Sequence, residues 1–262
     1  MPDAKQITPL LLAAVAFVLI STVAAWLVLG PRPGEANRSI GSPAAMPDAE
    51  FERRVRAYLL GNPEIIAEAL QQLERRQQLA EATEAQGALK MHAEELLRDP
   101  ASPVGGNPKG DVSLVEFFDY NCPYCRQVAP HMAKAEANDP KLRIVYKEFP
   151  ILGPNSTFAA KAALAAHRQG KYVAFHQALM ELKGPTAEKT VLETAGRLGL
   201  DLDRLKGDMA DPAIEAAINR NLALARALRI NGTPGFVIGK EIVRGAMDLA
   251  TMEGLIQQAR GK

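Results

Sequence analysis

The sequence predicts an α/β domain that follows a helical segment and an amino-terminal membrane helix. From Asp111 onward, β-branched and aromatic runs alternate with helical patterns in the order strand, helix, strand, helical block, hairpin, helix. Residues 48–98 have helical periodicity, and residues 10–29 carry no charge. With 47% hydrophobic residues and a net charge of +1, the 262-residue chain is not of the disordered class, and its composition gives no support to nucleic-acid binding.

The amino terminus is predicted to be a membrane anchor over residues 1–30. The apolar run at residues 10–29 is long enough for a helix to cross the hydrocarbon layer. A cleavable signal peptide is the alternative, because the small residues 23–25 resemble a cleavage site. The apolar run continues past that site to Leu29, which favours the uncleaved anchor.

A linker and a helical stalk are predicted to follow the anchor. Residues 31–47 contain four prolines and two glycines, which predicts a flexible linker. Residues 48–100 predict a stalk of two helices, the second running from Pro63 to about Arg98. Its apolar stripes are too narrow to form a core alone, so we expect it to pack on another copy of the chain or on the following domain, with a simple spacer as the alternative. Residues 99–110, rich in proline and glycine, predict a hinge.

The α/β domain is placed at residues 111–262. A helical block is predicted at about 155–229, because alanine-rich stripes run through it and glycines divide it into three or four helices. The other predicted elements are a strand at 112–118, a helix at about 122–138, a strand at 142–149, two short strands at 236–238 and 242–244, and a last helix capped by Asp248.

The chain has two cysteines, Cys122 and Cys125, at the start of a predicted helix. This spacing in a first helical turn brings two sulfur atoms close enough to form a disulfide. The free N–H groups and partial positive charge of a helix start favour a thiolate. We therefore predict a redox-active dithiol in which Cys122, exposed at the helix start, attacks and Cys125, one turn further and more buried, resolves.

The sequence gives less support to two other roles for the cysteine pair. A zinc site needs two further ligands, and the histidines of this domain, His131, His167 and His176, form no second paired motif. A structural disulfide that closes so short a loop gains little chain entropy. We predict no metal site and no cofactor.

Two separated motifs carry a family resemblance. The segment from Val115 to Cys125 and the segment Gly232-Thr233-Pro234-Gly235-Phe236 resemble the DsbA-type thioredoxin-fold oxidoreductases of the bacterial periplasm. The helical block lies where that family inserts a helical domain, so the resemblance implies a thioredoxin fold with a helical insertion. Residues 58–64 resemble the amino-terminal region of the suppressor-of-copper-sensitivity C (ScsC-like) group.

The resemblance also implies roles for three more residues. Thr233 and Pro234 would share a cis peptide bond, packed against the cysteine pair and presenting a backbone edge to substrate. Glu116, six residues before Cys122, would relay the proton of Cys125. An ordinary trans-proline loop and a surface carboxylate are the respective alternatives.

The implied function is a periplasm-facing thiol–disulfide oxidoreductase that forms, reduces or isomerises disulfides in cysteine-containing exported proteins. Such an enzyme would be anchored in the bacterial inner membrane by a single pass through residues 10–29. It would also have a membrane redox partner. A soluble periplasmic form after signal cleavage is the alternative to anchoring. A homo-oligomer formed through residues 48–98 would favour isomerisation. The alternative function is copper or zinc handling by the two thiolates, although no Met- or His-rich ligand cluster supports it.

Overall fold

The computed structural model describes residues 48–261. The predicted anchor (1–30) and linker (31–47) lie outside these residues. From Leu70 onward the chain forms one compact unit, and residues 48–69 belong to another. Within the described range, no helix combines the length and the apolar character that crossing a membrane requires.

Within residues 48–261, three helices precede the sheet: α1 (Asp48–Gly61), α2 (Glu64–Met91) and α3 (Ala93–Arg98). The single second helix predicted to run to Arg98 is therefore wrong, because the backbone leaves helical geometry at His92 (φ −102°, ψ 16°). Leu89 and Leu96, one on each side of this break, are both buried against the sheet. The end of the segment predicted as a stalk thus contributes to the core of the α/β unit.

Five strands form one sheet: β1 (Val104–Gly106), β2 (Val112–Phe118), β3 (Leu142–Glu148), β4 (Gly235–Ile238) and β5 (Glu241–Arg244). Their order in the sheet is β1-β3-β2-β4-β5. The central strand β2 (Val112–Phe118) is parallel to β3 (Leu142–Glu148) on one side and antiparallel to β4 (Gly235–Ile238) on the other. At the edge, β5 (Glu241–Arg244) is antiparallel to β4. Because β2 and β3 are covered on both faces, nearly all of their residues are buried. The first of these strands was predicted from its β-branched and aromatic run, and the second from alternation along residues 144–148.

The edge strand β1 (Val104–Gly106) lies in the segment predicted as a hinge, so that prediction is wrong for these residues. It pairs antiparallel with β3, with Val104 opposite Val145. Gly106 has φ 63°, and a Cβ atom there would lie 2.5 Å from the Leu142 carbonyl oxygen. A three-residue strand with two glycines has no alternation to reveal it, and only the pairing in the folded protein defines it.

Helix α4 (Pro123–Asn138) connects β2 to β3, and α10 (Leu249–Arg260) closes the chain. The helical insertion has five helices rather than three or four. It is an alanine-rich bundle: Ala159, Ala162 and Ala163 of its first helix are fully buried. The insertion helices are α5 (Pro154–Arg168), α6 (Tyr172–Met180), α7 (Glu188–Arg197), α8 (Leu202–Met209) and α9 (Pro212–Ala227).

Side-chain alternation along β2 assigns its residues to two cores. Val115 and Phe117 belong to the smaller core, which contains Leu89 and Leu96. Leu114 and Phe118 belong to the larger core, to which α4 and the insertion contribute. Because alternate residues of a strand share a face, Glu116 lies on the same side of the sheet as α4. This places a carboxyl group beneath the helix that begins with the cysteine pair.

Candidate active site

The cysteine pair lies at the amino terminus of α4. Cys122 is the N-cap residue, with extended backbone geometry, and Pro123 occupies the first helical position, where a missing N–H costs nothing. Both thiols are free in this structure. Cys122 is 3% exposed and Cys125 is fully buried. The predicted order of burial is confirmed, but the expectation that Cys122 is exposed is wrong, because the Thr233 carbonyl oxygen lies against its sulfur.

The second motif meets the first at this point. In its protonated form the Cys122 thiol donates a hydrogen bond to the Thr233 carbonyl oxygen, with Sγ and O 3.2 Å apart. The Thr233–Pro234 peptide bond is cis, as the resemblance implied, and Gly235 begins β4 directly after it. The fold therefore brings Cys122, Thr233 and Pro234 together from positions 111 residues apart.

The two thiols differ in acidity. The pKa of Cys122 is lowered to about 5, chiefly by a hydrogen bond with the Cys125 side chain. Hydrogen bonds with Thr233 and with the backbone of Cys125 and Tyr124 act in the same direction, while burial opposes them. The pKa of Cys125 is raised by its hydrogen bond to Cys122, by burial and by the negative charge of Glu116. At neutral pH the arrangement therefore supports a thiolate on Cys122 and a protonated Cys125.

Glu116 is a buried carboxyl group, so the alternative of a surface strand residue is wrong. Its side chain is 2% exposed, and Oε1 has no hydrogen-bond partner among the described residues. Burial, followed by the negative charge of Cys122, raises its pKa to about 8. A carboxyl group that titrates near neutral pH, close enough to influence both cysteines, is suited to accept and donate a proton there.

Asp119 is a residue of the site that sequence reasoning missed. Its buried carboxylate accepts hydrogen bonds from the backbone N–H groups of Asn121, Ile151 and Leu152, at 2.8–2.9 Å. It thereby ties the turn before Cys122 to the loop after β3. Its position directly after a strand predicts a turn residue, but the partners thirty residues away left no signal in the sequence.

Asn121 was missed for the same reason. Its side-chain amide donates to the Ser156 hydroxyl, and its amide oxygen accepts from the Thr186 backbone N–H, both at 2.9 Å. Ser156 and Thr186 belong to the helical insertion. Two turns of the insertion are thus attached to the residue that precedes the attacking cysteine.

A second buried polar cluster joins β3 to the insertion. Oε1 of Glu148 accepts hydrogen bonds from the hydroxyl groups of Tyr172 at 2.7 Å and Tyr120 at 3.1 Å. His176 Nδ1 lies 3.2 Å from the same Tyr120 hydroxyl. Burial raises the pKa of Glu148 and lowers the pKa of His176 to about 3, which favours the uncharged form of each. This cluster stabilises the interface behind the site.

The histidines do not converge with the cysteine pair. His131 is partly buried, and its Nδ1 lies 3.3 Å from the Met247 carbonyl oxygen. Within residues 48–261, no group of three or more His, Cys, Asp and Glu side chains is arranged to hold a metal ion.

Apolar side chains are exposed near the cysteine pair. Tyr124, between the two cysteines, is 60% exposed, and Leu152, held by Asp119, is 50% exposed. Leu152 also lines a cleft of about 590 Å³, together with Asn121, Arg126, Pro154, Asn155, Gly184 and Pro185.

Comparisons with known families agree with this arrangement. Residues 113–257 match the model of the DSBA-like thioredoxin domain. Residues 48–80 match the model of the copper resistance protein ScsC N-terminal domain.

Solved structures of oxidoreductases and ScsC proteins resemble this chain. A thioredoxin-like oxidoreductase from Silicibacter pomeroyi is 47% identical and has a TM-score of 0.63, and the match covers 64% of this chain and 98% of that one. ScsC of Proteus mirabilis in a transitional conformation is 32% identical with a TM-score of 0.62, covering 84% of this chain and 99% of that one.

Curated relatives include longer proteins. The Na(+)/H(+) antiporter NhaA 3 of Salinispora tropica is 28% identical over 158 residues, which is 60% of this chain. The chain spans 24% of that antiporter, about a quarter of its length.

Proposed function

The chain belongs to the DSBA-like thioredoxin family, in the ScsC-like group of DsbA-type thiol–disulfide oxidoreductases, and from that premise we propose that Cys122 and Cys125 exchange disulfides with exported proteins in the bacterial periplasm. The observation that carries the proposal is the opposite shift of two adjacent thiols: the pKa of Cys122 is lowered to about 5 and that of Cys125 is raised. This asymmetry gives one cysteine the role of nucleophile and leaving group and gives the other the role of resolving thiol.

The exchange proceeds in two steps. A substrate thiolate attacks Sγ of Cys122 in the disulfide form, the Cys122–Cys125 bond breaks, and its electron pair goes to Sγ of Cys125. A second substrate thiolate then attacks the substrate sulfur of this mixed disulfide and releases Cys122 as a thiolate. Two electrons pass from the substrate thiols to the enzyme, and the substrate leaves with a disulfide. The reverse sequence reduces a substrate disulfide.

Glu116 is proposed to manage the proton of Cys125. The Cys125 sulfur leaves as a thiolate in a fully buried position, where its charge is unfavourable. The pKa of Glu116, raised to about 8, makes its carboxyl group a donor for that sulfur and, in the reverse direction, an acceptor.

The substrate surface is proposed to combine a backbone edge with apolar side chains. The segment at Thr233 and Pro234 contacts Cys122. Tyr124, two residues after that cysteine, and Leu152 have exposed side chains. An extended, unfolded segment with apolar residues near its cysteine fits such a surface. The substrates we propose are therefore cysteine-containing exported proteins before they complete folding.

Membrane attachment is part of the proposal. Residues 10–29, outside the described residues, have the length and composition of a single membrane span. Inner-membrane anchoring would place the cysteine pair close to a membrane redox partner that restores the disulfide or the dithiol. A soluble periplasmic protein is the alternative if residues 1–30 are removed.

Self-association through the amino-terminal helices is also proposed. Phe51 and Tyr58 of α1 and Leu70 and Leu73 at the start of α2 are each more than half exposed. Exposed apolar residues in number mark an interaction surface. Association of two or three chains would present several cysteine pairs to one substrate and favour isomerisation.

Disulfide transfer to a reduced model protein tests the proposal. The disulfide form should oxidise reduced, unfolded ribonuclease in a single turnover, losing one disulfide for each disulfide that the substrate gains. The variants Cys122→Ser and Cys125→Ser, which lack the disulfide, are the controls and should transfer none. Tight Cu(I) binding by the dithiol form without any disulfide transfer would instead favour the metal-handling alternative.

A further inference from the structure

Arg126, the residue after Cys125, ties the active-site turn to the helical insertion. Its Nε donates a hydrogen bond to the carbonyl oxygen of Tyr120 at 2.8 Å, in the turn that precedes Cys122. Its Nη1 donates to the carbonyl oxygens of Leu182 at 3.1 Å and Gly184 at 2.6 Å, in the connection between α6 and α7. Acceptors from two separate loops therefore hold one guanidinium group in place.

The positive charge of this guanidinium group is not neutralised by an ion pair. Carbonyl oxygens carry no net charge, and no carboxylate in the part of the chain that the structure describes pairs with Arg126. By contrast, Arg168 and Arg260 each contact two carboxylates. Nη2 of Arg126 is buried and has no hydrogen-bond partner among the described residues.

Arg126 lies one helical turn after Cys122, and its backbone N–H donates a hydrogen bond to the Cys122 carbonyl oxygen at 3.2 Å. Residues four apart lie on the same face of a helix. Burial lowers the pKa of the guanidinium group, while the negative charges of Asp119 and of the Cys122 thiolate oppose this shift. Coulomb attraction is reciprocal, so a guanidinium group that is stabilised by the Cys122 thiolate also stabilises that thiolate.

We propose that Arg126 is a positioning residue whose charge, held beside Cys122 by three backbone carbonyls, stabilises the thiolate and makes the enzyme a stronger oxidant. The inference rests on the proposed exchange at Cys122. When two substrate thiols give two electrons to the Cys122–Cys125 disulfide, one of their protons ends on Cys125 and the other passes to solvent. The remaining negative charge is on Cys122, where Arg126 is placed to stabilise it. The dithiol form is thereby favoured over the disulfide.

A purely structural clamp would behave differently. If Arg126 only joined two loops, the acidity of Cys122 would be independent of the Arg126 charge in any variant that folds. The proposal instead requires the acidity of Cys122 and the redox equilibrium to change together.

The test compares two substitutions in the full chain with a matched control. Lys171→Gln is the control, because Lys171 also donates to two backbone carbonyls, those of Leu198 and Gly199 at 2.8 and 2.7 Å, but within the insertion. Thiolate absorbance against pH gives the Cys122 pKa, and equilibration with glutathione gives the redox equilibrium. Arg126→Gln should raise the Cys122 pKa by about one unit or less and shift the equilibrium toward the disulfide by up to about tenfold. Arg126→Lys should give intermediate values, and the control should change neither.

An unaltered Cys122 pKa in a folded Arg126→Gln variant that still exchanges disulfides would overturn the role of Arg126 alone. Absence of disulfide exchange in the unaltered protein would instead contradict the proposed function.

A measurement on the unaltered protein covers the case in which the variants do not fold. The NMR resonance of the Arg126 Nε–H should follow the titration of Cys122 in the dithiol form and stay constant in the disulfide form. If the chemical shift of this resonance does not change as Cys122 titrates, the proposal is contradicted.

Discussion

Sγ of Cys122 lies 3.2 Å from the carbonyl oxygen of Thr233, a contact between two residues that are 111 positions apart. It joins the start of α4 to the loop before β4, which are neighbours because β2 and β4 pair in the sheet. The attacking sulfur and the proposed substrate-binding edge are thus positioned by a single pair of strands. Changes on either side of this contact should alter the chemistry of Cys122.

Removing the Thr233 hydroxyl should make Cys122 less acidic. The Thr233 side chain is one of the causes that lower the Cys122 pKa. Thr233→Val keeps the side-chain shape and removes the hydroxyl, so we expect the pKa to rise by about one unit or less. The thiolate absorbance of the reduced protein measures this shift. Thr251→Val, on α10, is the control and should leave the titration unchanged.

Replacing Glu116 should change how stability depends on pH. Burial raises the Glu116 pKa from 4.5 to about 8, so the folded dithiol protein retains a proton that the unfolded chain releases between these two pH values. The contribution of Glu116 to stability is therefore greatest below pH 4.5 and falls as the pH rises toward 8. Glu116→Gln cannot ionise and escapes this loss, so it should exceed the unaltered protein in stability at alkaline pH by about 2–5 kcal/mol.

Urea unfolding at several pH values measures the effect of Glu116→Gln. The difference from the unaltered protein should vanish below pH 4.5, and Glu241→Gln, at an exposed position of β5, should show no such trend. The same Glu116 variant should slow exchange by about 100-fold, the usual size of a general acid–base contribution. If Glu116→Gln and the unaltered protein were equally stable at all pH values, the Glu116 pKa would be the same in the folded and the unfolded protein.

Asp119→Asn should loosen the two loops that meet at the cysteine pair. The carboxylate accepts three backbone hydrogen bonds, and an amide, with one acceptor oxygen, leaves buried N–H groups without partners. We expect a loss of about 1–3 kcal/mol in the free energy of unfolding. Asp248→Asn is the matched control, because Asp248 caps α10 and asparagine caps a helix equally well. Similar small losses in both variants would remove the special role of Asp119.

Self-association should depend on the exposed apolar residues of the first helices. Phe51→Gln and Tyr58→Gln together should convert a fragment of residues 48–262 from a dimer or trimer to a monomer in sedimentation equilibrium. Substitution tests this better than truncation before Pro108, because Leu89 and Leu96 belong to the core of the catalytic unit. Arg53→Gln with Arg56→Gln, at exposed polar positions of α1, should leave the oligomer intact. A monomeric unaltered fragment would leave these helices as a spacer.

Local sequence patterns predicted much of this fold. The β-branched run at β2, the proline after Cys122 and the Asp248 cap each act through neighbours in the chain, so the sequence reveals them. The cysteine pair was found in the same way, because its spacing and helix start are local features.

Long-range contacts account for what was missed. The partners of Asp119 and Arg126 lie about thirty and nearly sixty residues away, and β1 exists because it pairs with β3. Burial of Glu116 depends on which face of the sheet α4 covers, which alternation along β2 alone does not decide.

The rate at which each cysteine of the reduced protein is alkylated, measured by mass spectrometry across a pH series, tests the account most directly. Cys122 should react first, with a midpoint near its pKa of about 5, while buried Cys125 stays protected. Preferential labelling of Cys125, or a Cys122 midpoint at the ordinary thiol value of about 8.5, would contradict it.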